Sequence, residues 1–367
     1  MAQSRRLLLL DCLRGIAALV VVFHHLQSLQ NDWFAAALES YPGIHRLCVF
    51  LSNLHDEAVM FFFFLSGFVI ALSTKRLNLL GRKDLNYYLF RRFRRILPLY
   101  WFALIATGTI GLMHGHHGQE GSYGFLTLLG NLLFLQSSPH PGVGWVVPYG
   151  TNGPLWSLSY EMFYYLFLPL YLFLGHWFFC RFKKEVTVSW LLYGSFALAV
   201  CGIGARQILG TPWFSFLSLF PVWMAGYFLG RLHLERERAD WTVCICTCAC
   251  IGALLLQERI GSDTVYIVAK SWLWIAVPCY ICYRLKSQVK PLVRILESIL
   301  CPLFLRVGAG SYAIYLLHYP MLLWLQEVGS LSFWQQTSIL VLWCVCLMEF
   351  EIWLTKRPFA FFDRQYV

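Results

Sequence analysis

The chain has 367 residues, of which 58% are hydrophobic and only 13% carry a charge. A soluble domain carries about 25% charged residues, so this surface is too poor in charge to be wetted all round, and a water-soluble enzyme is excluded. The net charge of +10 does not point to nucleic acid either, because the lysines and arginines sit in short clusters between apolar runs, as the positive-inside rule requires.

Runs of about 20 apolar residues, enough to cross a bilayer, lie roughly at 7–29, 57–74, 95–114, 155–180, 187–208, 212–231, 241–257, 264–284, 308–328 and 333–355. The first run lacks a small-residue cleavage site and is read as a retained helix, not a secretory signal. Basic clusters precede span 1 (Arg5, Arg6) and follow span 2 (Lys75, Arg76, Arg82, Lys83, then RRFRR) and span 4 (Arg181, Lys183, Lys184). Others follow span 6 (RLHLERER), span 8 (Arg284, Lys286, Lys290, Arg294, Arg306) and the last span. All fall on one face if both termini are cytoplasmic, ten spans cross, and the shorter run Tyr123–Ser137 tucks in without crossing. The expectation is an all-α integral membrane protein, one domain over 1–367 with no appended hydrolase-like soluble domain. It has about ten transmembrane helices plus a short re-entrant segment.

The opposite face then carries MHGHHGQEG and SSPHPGVGWVVPYGTNGP. With no cysteine beside them, these histidines read as solvated loop residues. Cys244, Cys246, Cys248 and Cys250 alternate along one apolar run; on a helix that spacing puts successive residues on opposite sides, so they fill space and no metal is expected.

Charged side chains are rare inside a bilayer and usually face a protein interior or a water-filled cavity. The first span reads LDCLRGIAALVVVFHH and holds Asp11, Arg14, His24 and His25. Eleven residues at about 100° and 1.5 Å each bring Arg14 and His25 within about 20° of one face and about 16 Å apart along the axis. Asp11 shares that stripe, and His24 lies some 80° away. Each residue alone is explained by snorkelling or interfacial hydrogen bonding; a shared stripe points to a groove through the bilayer. A neutral histidine is the usual general base near neutral pH.

Ser66 and Gly67, in FFFFLSGFVI, offer a small surface for close helix packing. Arg91, Arg92, Arg94 and Arg95 crowd the cytoplasmic end of the third span; they suit anionic lipid or a phosphate-rich ligand. Glu161, in GPLWSLSYEMFYYLFLP, counts to about 9 Å inside its span, close to the depth of His25. Its partner is then His25, a substrate hydroxyl or a neighbouring helix. His318, in GSYAIYLLHYP, reads as a core histidine or a second site residue.

These stretches together resemble acyltransferase family 3, the bacterial membrane O-acyltransferases that decorate envelope polysaccharides, lipopolysaccharide, peptidoglycan and some small molecules. LDCLRGIAAL with its Arg-x10-His pair, FFFFLSGFVI, RRFRRILPLYW, GPLWSLSYEMFYY, GSYAIYLLHYP and EIWLTKRPF follow the family's order along nearly the whole chain. Cys12 stands where the family commonly has Gly. The resemblance implies transfer of an acyl group, acetyl being the one expected, from cytoplasmic acyl-CoA to a hydroxyl of an extracytoplasmic saccharide or lipid-linked saccharide, at the inner membrane and with no metal. It implies Arg14 and His25 as the essential pair, Arg91, Arg92, Arg94 and Arg95 as donor-binding, and Glu161 as a site residue. Asp11, Ser66 and His318 are additional candidates. Without a hydrolase-like domain, the acyl group goes directly to the acceptor or to an envelope partner protein. The rival class is a transporter or flippase using the same polar groove without bond making, which the lack of evident internal repeats disfavours.

Overall fold

A computed structural model of the chain describes residues 2–29, 41–113, 122–136, 146–181, 187–209, 215–236, 239–255, 263–328 and 331–356. Among these, regular structure is helical, with one isolated parallel bridge between Gln136 and Val146. That follows from the solvent, since a bilayer offers no partner for a backbone N–H or C=O and a helix satisfies its own. In chain order the helices are α1 (Ala2–Leu29), α2 (Pro42–Ser52), α3 (His55–Ser73), α4 (Arg82–Met113), α5 (Phe125–Leu132), α6 (Trp156–Arg181), α7 (Val188–Leu209) and α8 (Ser215–Ser218). They continue with α9 (Phe220–Glu235), α10 (Asp240–Leu255), α11 (Asp263–Ser271), α12 (Val277–Arg284), α13 (Lys286–Ala309), α14 (Ser311–Val328) and α15 (Phe333–Lys356).

Seven stretches are long and apolar enough to cross a membrane: Leu8–Leu29, Pro42–Ser73, Arg82–Met113, Gly153–Arg181, Val188–Ala205, Val265–Arg284 and Phe333–Leu354. The protein is an all-α membrane protein. The three remaining expected spans fall on α9, α10 and α14, of 16, 16 and 18 residues. Every residue from Phe220 to Gly230 of α9 is buried, so this helix is wrapped by the bundle on all sides. The 123–137 run forms only α5, whose eight residues rise about 12 Å, well short of a span. The buried Asn131 and Gln136 hold it in place: Asn131 Nδ2 donates to the Val147 carbonyl at 2.9 Å, and Gln136 Nε2 donates to the Leu155 carbonyl at 2.9 Å. The histidines of MHGHHGQEG and all of SSPHPGVGW lie outside the described residues.

One segment departs from expectation. Residues 286–309, read as a basic connection, form the 24-residue helix α13. Leu292, Ile295, Leu296, Ile299 and Leu303 make an exposed apolar stripe on it at helical spacing, and its lysines and arginines keep it below the hydropathy of a span. Its C-terminal half and α14 together flank α1. Cys12 lies against Cys301 (Sγ–Sγ 3.3 Å), a Cβ on Gly15 would stand 2.7 Å from the Gly308 nitrogen, His25 meets His318, and Gln326 donates to the Leu29 carbonyl. Both sequences rise together, so α1 and the α13–α14 run are parallel. Parallel spans require an odd number of crossings between them. Five long spans satisfy this, alone or with α9 and α10 both added; a crossing by 123–137 would break it.

The tightest crossing in the bundle is α3 on α9. A Cβ on Gly67 would overlap the Trp223 carbonyl oxygen, and one on Gly226 would overlap that of Phe64. Only glycine lets the two backbones meet this closely. Prolines inside helices free a carbonyl four residues back, and the bundle re-uses two of them. Pro169 releases the Tyr165 carbonyl, which accepts from Tyr88 OH at 3.1 Å; Pro320 releases that of Leu316, which accepts from Asn152 Nδ2 at 3.4 Å.

Candidate active site

Helices α1, α3, α4, α6 and α14 line a cavity of about 770 Å³, a figure that includes the open space at its mouth. Its α3 wall is the stripe Val59, Phe62, Phe63, Ser66 and Val69, ten residues or about 15 Å along the axis. Near the Val69 end, Arg92 Nη2 donates to Ser73 Oγ at 2.9 Å, and Arg14, Arg92 and Arg95 line the wall. Near the Val59 end the wall is Phe62, Tyr315 and Ser157.

The arginines are held unequally. Arg14 pairs with Asp11 across one helical turn at 2.8 Å, which explains why both charges share a face of α1. Arg92 is 5% exposed, its guanidinium sits over the rings of Tyr88 and Tyr165, and its Nε has no hydrogen-bond partner. Arg95 is ringed by protein yet keeps an open surface inside the cavity. The RRFRR cluster therefore splits. On a helix Arg92 and Arg95 lie about 60° apart and face the cavity. Arg91 and Arg94 do not line it; their guanidiniums lie over the rings of Tyr87 and Phe90, one turn back on their own helix. Of the four arginines expected to bind a donor, Arg92 and Arg95 line this cavity, together with Arg14 from α1.

Glu161 lines the same cavity. Its Oε1 accepts from Ser66 Oγ at 2.9 Å and from Tyr165 OH, while Trp223 Nε1 donates to Ser66 Oγ at 3.2 Å. Its partners are these hydroxyls, not His25. Counting residues gives depth along each helix from its own end, and those ends need not be level; Glu161 sits in the field of Arg14 and Arg95. A second carboxylate, Glu351, accepts the Ala313 N–H at 2.8 Å in the first turn of α14, where a negative charge complements the helix dipole. Its charge also acts on Arg95. Glu351 opens EIWLTKRPF, and with Tyr165, Tyr312 and Tyr315 it was not singled out in sequence, because aromatic and acidic residues in apolar helices carry no spacing that marks a cavity.

Beyond Tyr315 lie the histidines. The Tyr315 ring is 6.2 Å from that of His318 and 5.6 Å from that of Phe62. His25 Nδ1 lies 2.9 Å from His318 Nε2, and His318 Nδ1 lies 2.9 Å from the Ile314 carbonyl oxygen. His24 instead faces Ser52 Oγ at 3.0 Å and stacks on His55 at 3.5 Å. Along α1, Arg14 lines the cavity and His25 meets His318, which lies beyond the Tyr315 wall. Among the described residues no group of three or more metal-ligating side chains comes together.

The family model described as "Acyltransferase domain" covers residues 7–349. The chain belongs to this acyltransferase family. A curated relative of the family member, Acyltransferase MdmB from Streptomyces mycarofaciens, is 30% identical over 200 residues, or 53% of this chain and 46% of the relative. The chain thus matches about half of that relative's length. No solved structure matches.

Proposed function

We propose that this family member is a membrane O-acyltransferase that moves an acyl group from acyl-CoA, with acetyl-CoA the expected donor, to a hydroxyl of an extracytoplasmic saccharide. The carrying observation is the axis of the site, with Arg14, Arg92 and Arg95 around one cavity that runs along α3 to Tyr315, whose ring lies 6.2 Å from that of His318, the partner of His25. Guanidiniums suit the phosphates of the donor, and the cavity gives its arm and acyl group a water-poor course towards the base. There an oxyanion is stabilised more strongly than in water, and His25 takes the acceptor proton. Glu161, fixed by two hydroxyls, balances the charge of the arginine cradle when it is empty. The reading includes ten crossings with both termini in the cytoplasm of a bacterial inner membrane, donor side at the arginines and acceptor side at the histidines. A lipid-linked saccharide or an envelope partner protein would meet the site from that outer side.

The test is transfer of labelled acetyl from acetyl-CoA to envelope saccharide by purified, correctly inserted protein. His25→Ala is expected to abolish transfer and His24→Ala to retain most of it. Equal activity of the two variants, or binding of acetyl-CoA with no transfer in the wild type, would favour the transporter or flippase class.

A further inference from the structure

The contacts of His318 settle more than its own place in the core. His318 is fully buried, and its Nδ1 faces the Ile314 carbonyl oxygen at 2.9 Å. A carbonyl only accepts, so that nitrogen carries the proton. In a neutral imidazole the other nitrogen is then an acceptor, and His318 Nε2 offers its lone pair. The atom facing it at 2.9 Å is His25 Nδ1, which must therefore be the donor. The remaining nitrogen of His25, Nε2, is left bare. A single backbone carbonyl on α14 fixes the proton positions of two rings.

We propose that His318 is the positioning residue of the transfer reaction: it holds His25 in the tautomer whose Nε2 lone pair is free to act as the base. This rests on the reading of His25 as the base. In the step it serves, the acceptor O–H gives its proton to His25 Nε2. The oxygen pair forms the C–O bond to the thioester carbonyl, the C–S bond breaks with its electrons left on sulfur, and the proton then passes to the thiolate to give the free thiol. Throughout, His25 Nδ1–H keeps its bond to His318, which stabilises the imidazolium as it forms, and no proton needs to enter His318. The α14 backbone gives the arrangement its rigidity: Pro320 interrupts the helix two residues on, and Asn152 and Trp343 hold the Leu316 and Leu317 carbonyls.

The experiment has two arms. In protein labelled with ¹⁵N-histidine and reconstituted in bilayers, the His25 signal, assigned by its loss in His25→Ala, is expected to show Nδ1 protonated and Nε2 bare. The opposite tautomer overturns the proposal without any variant having to fold. In the kinetic arm, His318→Leu is expected to lower kcat about 10–100-fold, a large part of what a general base contributes, with the KM for acetyl-CoA within about twofold. His318→Gln, whose amide oxygen can accept from His25 Nδ1, is expected to recover most of the rate. Wild-type kcat in a monodisperse His318→Leu protein overturns the proposal, as does Leu and Gln behaving alike. If His25→Ala still transfers acetyl, the reading of His25 fails instead, and that result is told apart because it does not involve His318.

Discussion

Arg92 illustrates what a buried cation needs. It has two aromatic faces, one hydroxyl and an Nε without a partner, and such a guanidinium is stabilised by the arrival of an anion, since hydrogen bonds to charged groups contribute about 1.5–3 kcal/mol. Arg92→Ala is therefore expected to raise the KM for acetyl-CoA about 10–100-fold, whereas Arg91→Ala, which removes a guanidinium stacked on Tyr87 outside the cavity, should leave it within about twofold. Steady-state kinetics on the two variants decides this, and equal effects would return the cluster to a simple anionic-lipid anchor. The split was not legible in sequence, because at about 100° per residue Arg95 lies about 40° from Arg91 and about 60° from Arg92, so the period alone does not divide the cluster. Nor was the pairing of His25 with His318. Those residues are 293 positions apart, and nothing in local spacing says which distant helix supplies the partner. The same blindness made Glu161 look level with His25.

At the scale of the helix, the bundle is held by close approach, not by a hydrophobic force between segments that already sit in lipid. Gly226→Ala places a methyl group on the Phe64 carbonyl oxygen, and α3 and α9 have to move apart along their whole contact. Overpacking typically costs about 1–3 kcal/mol and sometimes more. The folded yield and thermal midpoint of Gly226→Ala, read by size-exclusion chromatography on heated samples, should fall clearly. Gly252→Ala, where a Cβ meets nothing within 4 Å, should not change them. The small surface at Ser66–Gly67 was visible in FFFFLSGFVI, and Gly67 does pack as expected. Helix α13 was hidden because charge was read before period: its basic residues named it a connection, while its apolar positions recur at helical spacing.

At the scale of the molecule, the parallel course of α1 and α14 constrains the order of crossings and supports the ten-span reading. An alkaline phosphatase reporter fused after Leu79 is expected to be inactive, on the cytoplasmic side, and one fused after Gly153 active. Activity on the same side from both fusions would sink that topology. Charge clusters alone were enough to draft it, because they record orientation directly. The lateral arrangement of the spans left no such record, since lipid-facing and protein-facing apolar surfaces have similar composition.

The juxtaposition of the first helix with nearly the last also has a consequence in time. At a synthesis rate of roughly 5–20 residues per second, α1 waits roughly 15–60 s after insertion before α13 and α14 exist to cover it. Until the cavity-lining helices α3, α4 and α6 follow it into the membrane, Arg14 has only neighbours on its own helix, and the Asp11 carboxylate one turn away is the counter-charge that travels with it. Asp11→Asn is therefore expected to lower the amount of full-length protein that accumulates in membranes, measured by immunoblot against a constant transcript level; unchanged accumulation would mean that Arg14 is sheltered some other way. An ion pair at the edge of the site then serves the nascent chain, neutralising a charge in the bilayer until the helices that will use it have been made.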